Sequence, residues 1–173
     1  VIAAFTGQWP WQSNPYNSYA LQTDSWLKGR LDLGQDYPWL ELAIYQGKYF
    51  VSFPPFPSYV LIPFVMIFGT NTPDHLIALL VTIAGCVYAI KLYREVSLEK
   101  QHALFWVLML YFASGYLFVG MNGYVWFIAQ SMSFTLSLMA LYYALRQKGG
   151  LSLAFWACAV GCRPMLALYG ILL

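Results

Sequence analysis

The chain has 173 residues, of which 60% are hydrophobic, 19% are aromatic and only 9% are charged. An ordinary soluble domain has about 25% charged residues, so this composition excludes a typical soluble enzyme and predicts an integral membrane protein. The formal net charge is +2, and the nine Lys and Arg residues are spread along the chain. Such a small, dispersed excess predicts no nucleic-acid partner, and the three cysteines lie in apolar runs that predict no disulfide framework.

The chain starts at Val1 and stops at Leu173 within an apolar run, a pattern expected of a fragment of a longer polytopic protein. Residues 1–5 are interpreted as a possible end of a membrane helix. Residues 6–74 are more polar than the rest and are predicted to form a large external loop. This loop holds five of the seven acidic residues: Asp24, Asp32, Asp36, Glu41 and Asp74.

Two short helices are expected in this loop. The first would begin at Asn17 or Ser18, either of which can cap it, and would end at Gly29. Its Trp, Lys and Arg side chains favour a position along the membrane interface. Prolines at 54, 55 and 57 prevent a regular helix through that segment. The apolar run 59–68 is too short to span a bilayer, which predicts a re-entrant or juxtamembrane helix.

Four downstream runs, at about 75–93, 103–120, 124–145 and 151–173, are predicted to be membrane helices. Asp74 is expected to cap the first of them. Two of the connecting loops carry basic residues, and the positive-inside rule places those loops in the cytoplasm. The predicted fold class is therefore all-α, a polytopic membrane protein with a large external first loop that contains interfacial helices. The basic residues of the two loops are Lys91, Arg94, Lys100, Arg146 and Lys148.

A set of short motifs accompanies this pattern. The stretch from Gly47 to Pro57 reads G-K-Y-F-V-S-F-P-P-F-P, and a short apolar helix ending in Phe68-Gly69 follows it. Arg146-Gln-Lys-Gly-Gly lies in a predicted cytoplasmic loop, and Cys162-Arg-Pro lies in the last apolar run. Together these residues resemble the GT-C superfamily of membrane glycosyltransferases. The likeness is greatest to bacterial protein O-mannosyltransferases and lipid A aminoarabinose transferases.

The resemblance implies a GT-C-like fold, a polyprenyl-phosphate sugar donor and an unidentified hydroxyl acceptor at the external face of the bacterial cytoplasmic membrane. It also implies that an acidic residue of the first loop is the catalytic base. Asp24, on the interfacial helix, is the first candidate, and Asp36, in a turn before Pro38, is the second. Either could instead be an ordinary surface carboxylate. No metal-ligand spacing is visible, although the resemblance leaves a divalent metal open.

A departing lipid phosphate needs a cation, and Lys48 and Arg163 are the candidates. Arg163 lies in an apolar run, where an Arg costs about 2.5–3.5 kcal/mol to insert in a membrane. Arg163 therefore needs a counter-charge, a polar cavity or a position near the end of a helix, and we expect it in the external half of the membrane. Asn17, Glu41 and Tyr49 are candidate substrate-binding residues.

Two alternatives remain open. The resembled enzymes carry an Asp-Glu pair where this chain has Tyr16-Asn17. This difference favours a non-catalytic protein that binds a lipid-linked glycan or scaffolds envelope assembly. A transporter is the second alternative, motivated by Arg163 and by the polar residues near Gln130.

Overall fold

The computed structural model describes residues 9–172, so the membrane-helix end expected at residues 1–5 lies outside the described residues. Within this range the chain is mainly helical, with one β-hairpin. The helices are α1 (Ser18–Leu27), α2 (Phe56–Phe68), α3 (Asp74–Val96), α4 (Ala103–Ala113), α5 (Tyr116–Met121), α6 (Val125–Leu145) and α7 (Gly149–Cys162). The strands are β1 (Leu42–Tyr45) and β2 (Lys48–Val51), and 3-10 turns cover Gly69–Asn71, Lys100–His102 and Pro164–Leu172.

The short helix α1 packs on α2 through a polar seam. The hydroxyl of Thr23 donates to the carbonyl oxygen of Ser58 at 2.9 Å, and the Ser58 hydroxyl donates to Gln22 Oε1 at 2.6 Å. The rings of Trp26 and Tyr59 lie 4.8 Å apart beside this seam. The prediction of a short helix here is confirmed. The predicted side-chain cap is wrong, because no side chain caps the first turn of α1.

The hairpin departs from the predicted all-α class. Strands β1 and β2 pair antiparallel, with Tyr45 opposite Lys48. The two turn residues, Gln46 and Gly47, both have positive φ angles, of 50° and 72°. Two successive positive φ angles define the turn that best matches the twist of a two-residue hairpin. The aromatic and β-branched residues on either side then favour strands over a loop.

Helices α3 and α6 lie side by side and run in the same direction. At one end the backbone N–H of Gly123 donates to His75 Nδ1 at 3.1 Å. At the other end Arg146 Nη1 lies 3.4 Å from Glu95 Oε1. Midway, the Thr135 hydroxyl donates to the carbonyl oxygen of a residue on α3 at 3.1 Å. The buried core lies where these two helices meet α1 and α2, and it includes Tyr19, Leu61, Ile77, Val125, Ile128 and Met132.

Two further segments run back along this pair. Helices α4 and α5 return the chain from the end of α3 to the start of α6, with a break at Gly115, where φ is 72°. The Thr82 hydroxyl of α3 donates to the carbonyl oxygen of Gly120 at 2.8 Å. Helix α7 then packs along α6, and Ser152 donates to the carbonyl oxygen of Ala140 at 2.9 Å.

The predicted polytopic, GT-C-like fold with four membrane helices is wrong. Only two of the described helices, α3 with 23 residues and α6 with 21, are long and apolar enough to cross a membrane. The run predicted at 103–120 is divided by Gly115 into helices of 11 and 6 residues. The run predicted at 151–173 ends at Cys162, because the residue before Pro164 is extended rather than helical. Hydropathy alone shows neither break.

Candidate functional site

A cavity of about 630 Å³ lies beside the N-terminal end of α3, between α1 and the loops around it. One face of α1 lines it, at Asn17, Leu21, Asp24 and Lys28, positions that recur at helical spacing. Segments before α1, after α1 and after α2 complete the wall. Their lining residues include Ser13, Asn14, Arg30, Gly34, Gln35, Tyr37, Trp39, Thr70 and Asn71.

Asp24 is the only carboxylate that lines this cavity within residues 9–172. Its Oδ2 lies 2.6 Å from the ammonium nitrogen of Lys28, one turn further along α1. The Asp24 side chain is 23% exposed and that of Lys28 is 59% exposed. An exposed pair at this spacing contributes only a few tenths of a kcal/mol to helix stability. The pair therefore matters more for the charge that it places in the cavity than for the fold.

Arg30 adds a second cation to the same wall. Its guanidinium group lies against the backbone of Gly34, and a Cβ atom at Gly34 would meet Arg30 Cζ at 3.2 Å. Gly34 also has a φ of 76°, which L-residues with side chains rarely adopt. The absence of a side chain at Gly34 thus leaves room for the Arg30 guanidinium group against the loop. No ion pair of Arg30 is found in the described part of the chain, so its charge is not neutralised by a carboxylate there.

Amide and aromatic side chains make up much of the remaining wall. Asn17 donates from Nδ2 to the carbonyl oxygen of Thr70 at 2.9 Å, which ties α1 to the turn after α2. Trp39 donates from Nε1 to the carbonyl oxygen of Pro15 at 3.0 Å. The rings of Tyr37 and Trp39 meet edge to face, 5.7 Å apart. These contacts hold the aromatic side chains at the cavity rim.

The predicted site residues do not all meet at this cavity. Asp24 and Asn17 line it, whereas Asp36 is exposed and does not. Lys48, one of the two predicted phosphate ligands, pairs with Asp32 at 3.8 Å on the hairpin side. Tyr49 lies on β2, where its carbonyl oxygen accepts a hydrogen bond from the Leu33 N–H at 2.8 Å.

Arg163 and Glu41 belong to a different group, centred on Trp126. Arg163 Nη2 donates to the carbonyl oxygen of Trp126 at 2.7 Å, and its Nε is buried without a partner in the described residues. Trp126 Nε1 donates to Glu41 Oε2 at 3.4 Å. None of these three residues lines the cavity. Arg163, a predicted phosphate ligand, therefore does not line the cavity that holds Asp24.

A buried polar cluster next to the cavity joins the segment before α1 to the start of α3. Asn14 Nδ2 donates to Asp74 Oδ2 at 2.9 Å and to the carbonyl oxygen of Gly123 at 3.0 Å. Asp74 is 3% exposed. Its predicted role as a side-chain cap of α3 is wrong, since no side chain caps that helix. Instead Asp74 fixes the segment before α1 to the start of α3, because a buried carboxylate needs such donors.

Sequence reasoning missed several residues of the cavity, chiefly Lys28, Arg30 and Trp39. The spacing of Asp24 and Lys28 on a helix was the one available signal, because residues four apart share a helix face. Arg30 and Trp39 come from loops, whose position only the folded chain shows. In the part of the chain that the structure describes, no three His, Cys, Asp or Glu side chains lie close enough to hold a metal ion.

No protein-family model, curated protein or solved structure matches this chain. The resemblance to membrane glycosyltransferases therefore stays a prediction, and the cavity has to be interpreted from its own residues.

Proposed function

We propose that this protein is a membrane glycosyltransferase that moves a sugar from a polyprenyl-phosphate donor to a hydroxyl acceptor in the cavity beside α1. The observation that carries the proposal is the Asp24 carboxylate, held 2.6 Å from Lys28 in a cavity that Arg30 also lines. Transfer of a glycosyl group from a lipid phosphate needs a base and a cation at one place. This cavity supplies both.

The size and lining of the cavity suit a sugar. A volume of about 630 Å³ falls within the usual range for small-molecule sites, roughly 300–1,000 Å³. Asn17, Gln35 and Asn71 offer amide groups that can both donate to and accept from hydroxyls. Trp39 presents an aromatic surface that can pack on the apolar face of a sugar ring.

Asp24 is the proposed general base. One of its oxygens, Oδ2, is bonded to Lys28, and no described group bonds to Oδ1. The acceptor hydroxyl would give its proton to that oxygen while its own oxygen attacks the anomeric carbon. The bond between the anomeric carbon and the phosphate oxygen then breaks, and the lipid phosphate leaves with the electron pair. Lys28 and Arg30 would stabilise the negative charge that develops on it.

The position of the cavity agrees with a lipid-linked donor. The cavity lies at the end of α3, one of the two helices able to cross a membrane. A donor whose polyprenyl chain lies in the bilayer could place its sugar phosphate there without leaving the membrane. We propose that α3 and α6 cross the bacterial cytoplasmic membrane in the same direction, with the cavity on the external face, and that α4 and α5 together carry the chain back between them.

The test is transfer by the full chain in vesicles that contain a polyprenyl-phosphate hexose labelled in the sugar. We expect the wild-type protein to release polyprenyl phosphate and to transfer the label to hydroxyl acceptors or water. Asp24→Asn should lower the rate at least about 100-fold, the lower end of the usual contribution of a general base. Lys28→Gln should also lower the rate. Asp36→Asn is the matched control, since Asp36 is exposed and outside the cavity.

An Asp24→Asn variant with the wild-type rate would contradict the assigned role of Asp24. One observation favours a second function, a protein that binds a lipid-linked glycan without reaction. The Asp24 carboxylate already has a cation bonded to one oxygen, and Asn17 occupies a position where the resembled enzymes have an acid. Binding of the labelled donor with no release of polyprenyl phosphate would support this second function over the first.

A further inference from the structure

A basic surface lies at the end of the helices opposite the cavity, around the C-terminal ends of α3 and α6. Two acidic residues, Glu95 and Glu99, lie among five basic ones, so the net charge of this end is +3. The contact between Arg146 and Glu95, at 3.4 Å, shows that the ends of the two helices lie at the same level. The basic surface is defined by Lys91, Arg94, Lys100, Arg146 and Lys148.

Lys91 is held there by aromatic rings. Its ammonium nitrogen lies 4.7 Å from the ring centroid of Tyr88 and 5.8 Å from that of Tyr142. The hydroxyls of Tyr88 and Tyr143 are 3.1 Å apart, which joins the rings of α3 and α6. Lys91 forms no ion pair with a carboxylate in residues 9–172. Lys91 is also exposed, so its charge is accessible to an anion from solvent.

The other cations are also largely free. Arg146 forms an ion pair with Glu95, and the second carboxylate, Glu99, lies 3.7 Å from His102. Arg94, Lys100 and Lys148 have no carboxylate partner among the described residues. A cavity of about 380 Å³ opens at the turn between α6 and α7, next in sequence to Arg146 and Lys148.

Exposed apolar side chains accompany these charges. Leu98 is 100% exposed, and Phe105 and Trp106 at the start of α4 are 54% and 52% exposed. Aromatic residues beside Lys and Arg are typical of the level where lipid headgroups meet the acyl chains. A small soluble anion would contact only the basic residues. A phospholipid can contact both groups, because its phosphate can lie against the basic residues and its acyl chains against the exposed apolar side chains.

We propose that the basic surface binds the headgroups of anionic phospholipids at the membrane face opposite the cavity. The phosphate of the lipid would lie against Lys91 and its basic neighbours, and the acyl chains would lie against the exposed side chains of α4. This site is independent of the proposed sugar transfer, since none of its five basic residues lines the cavity of about 630 Å³.

The test uses the purified full chain, in detergent, mixed with equal amounts of phosphatidylglycerol and phosphatidylcholine, with the retained lipid counted by native mass spectrometry. We expect the wild-type protein to retain phosphatidylglycerol over phosphatidylcholine. Lys91→Gln and Lys148→Gln should each lower that preference about fivefold, the effect expected of one cation near an anionic surface. Lys48→Gln, on the hairpin at the opposite end, is the matched control and should keep the wild-type preference.

Lys91→Arg separates the role of charge from a folding defect. It keeps the cation and should keep the preference for phosphatidylglycerol. The proposal is overturned if the wild-type protein retains both lipids equally, or if Lys48→Gln loses as much preference as Lys91→Gln. It also fails if Lys91→Arg and Lys91→Gln lose the preference equally, because the charge would then not be the cause.

Discussion

Two tyrosines show how the environment of a single hydroxyl affects stability. The Tyr19 side chain is 2% exposed, and its hydroxyl has no hydrogen-bond partner within residues 9–172. Burial raises the pKa of Tyr19 above its ordinary value, because the charged form would lose its hydration. The Tyr116 hydroxyl, in contrast, donates to the carbonyl oxygen of Ser131 at 3.3 Å.

This difference predicts opposite effects of removing the hydroxyl. Tyr19→Phe should raise the free energy of unfolding by about 1 kcal/mol, because it deletes a buried hydroxyl that loses its hydration on folding and forms no hydrogen bond in return. Tyr116→Phe should lower it by about 0.5–1.5 kcal/mol, the usual value of one hydrogen bond. Thermal unfolding of both variants in the same detergent is the measurement. Equal destabilisation by the two variants would show that the Tyr19 hydroxyl does have a partner.

Single residues also explain why part of the site was not predicted from the sequence. Asp24 is a candidate because it lies on a recognisable helix, and Asn17 because it stands where the resembled enzymes have an acidic residue; both line the cavity. Arg163 was identified from its cost in an apolar run, but its guanidinium group is bonded to the carbonyl oxygen of Trp126 instead. Sequence shows that a charge needs a partner. It does not show which backbone carbonyl oxygen will meet that need.

At the scale of elements, α5 depends on close approach to α3. A Cβ atom at Gly120 would meet the Thr82 side chain at 2.8 Å from Cγ2 and 3.1 Å from Cβ. The Thr82 hydroxyl is bonded to the carbonyl oxygen of the same glycine at 2.8 Å. Gly150, in the first turn of α7, has nothing within 4 Å of the position that a Cβ would take.

We therefore predict that Gly120→Ala lowers the free energy of unfolding by about 1–3 kcal/mol, the usual cost of overpacking. Gly150→Ala should be neutral or should raise it by up to about 1 kcal/mol, since Ala is the better helix residue. Both changes add one methyl group to a helical glycine, so helix propensity alone would make them alike. Unfolding curves that coincide for the two variants would mean that α5 does not pack closely on α3.

The elements that sequence predicted well are those with long, unbroken hydropathy. Helices α3 and α6 were expected at 75–93 and 124–145 and lie at Asp74–Val96 and Val125–Leu145. The hairpin was missed because residues 6–74 were predicted to form a loop with two short helices, although the two positive φ angles at Gln46 and Gly47 favour strand pairing. The remaining predicted spans failed at Gly115 and at the residue before Pro164, where local backbone conformation outweighs apolar composition.

At the scale of the whole molecule, charge is distributed unevenly along the axis of α3 and α6. The basic surface has a net charge of +3, whereas the cavity end holds all of the remaining five carboxylates against four cations. A helix of 23 residues is about 35 Å long, which is enough to separate the two ends across a bilayer. For the membrane topology proposed above, the positive-inside rule predicts that the basic surface faces the cytoplasm.

Single cysteines placed at Gln35, Asn71, Ser97 and Lys148 test this orientation in a chain that lacks Cys86, Cys158 and Cys162. Gln35 and Asn71 line the same cavity, while Ser97 and Lys148 follow the ends of α3 and α6. We expect a membrane-impermeant maleimide to label the first two in intact cells and the other two only after permeabilisation. The reverse pattern would place the cavity inside, where the proposed external transfer could not occur. Labelling of all four in intact cells would mean that α3 and α6 do not separate two compartments. The apolar surface of α4 would then need a cover other than lipid, because Leu104, Phe105 and Phe112 are more than half exposed.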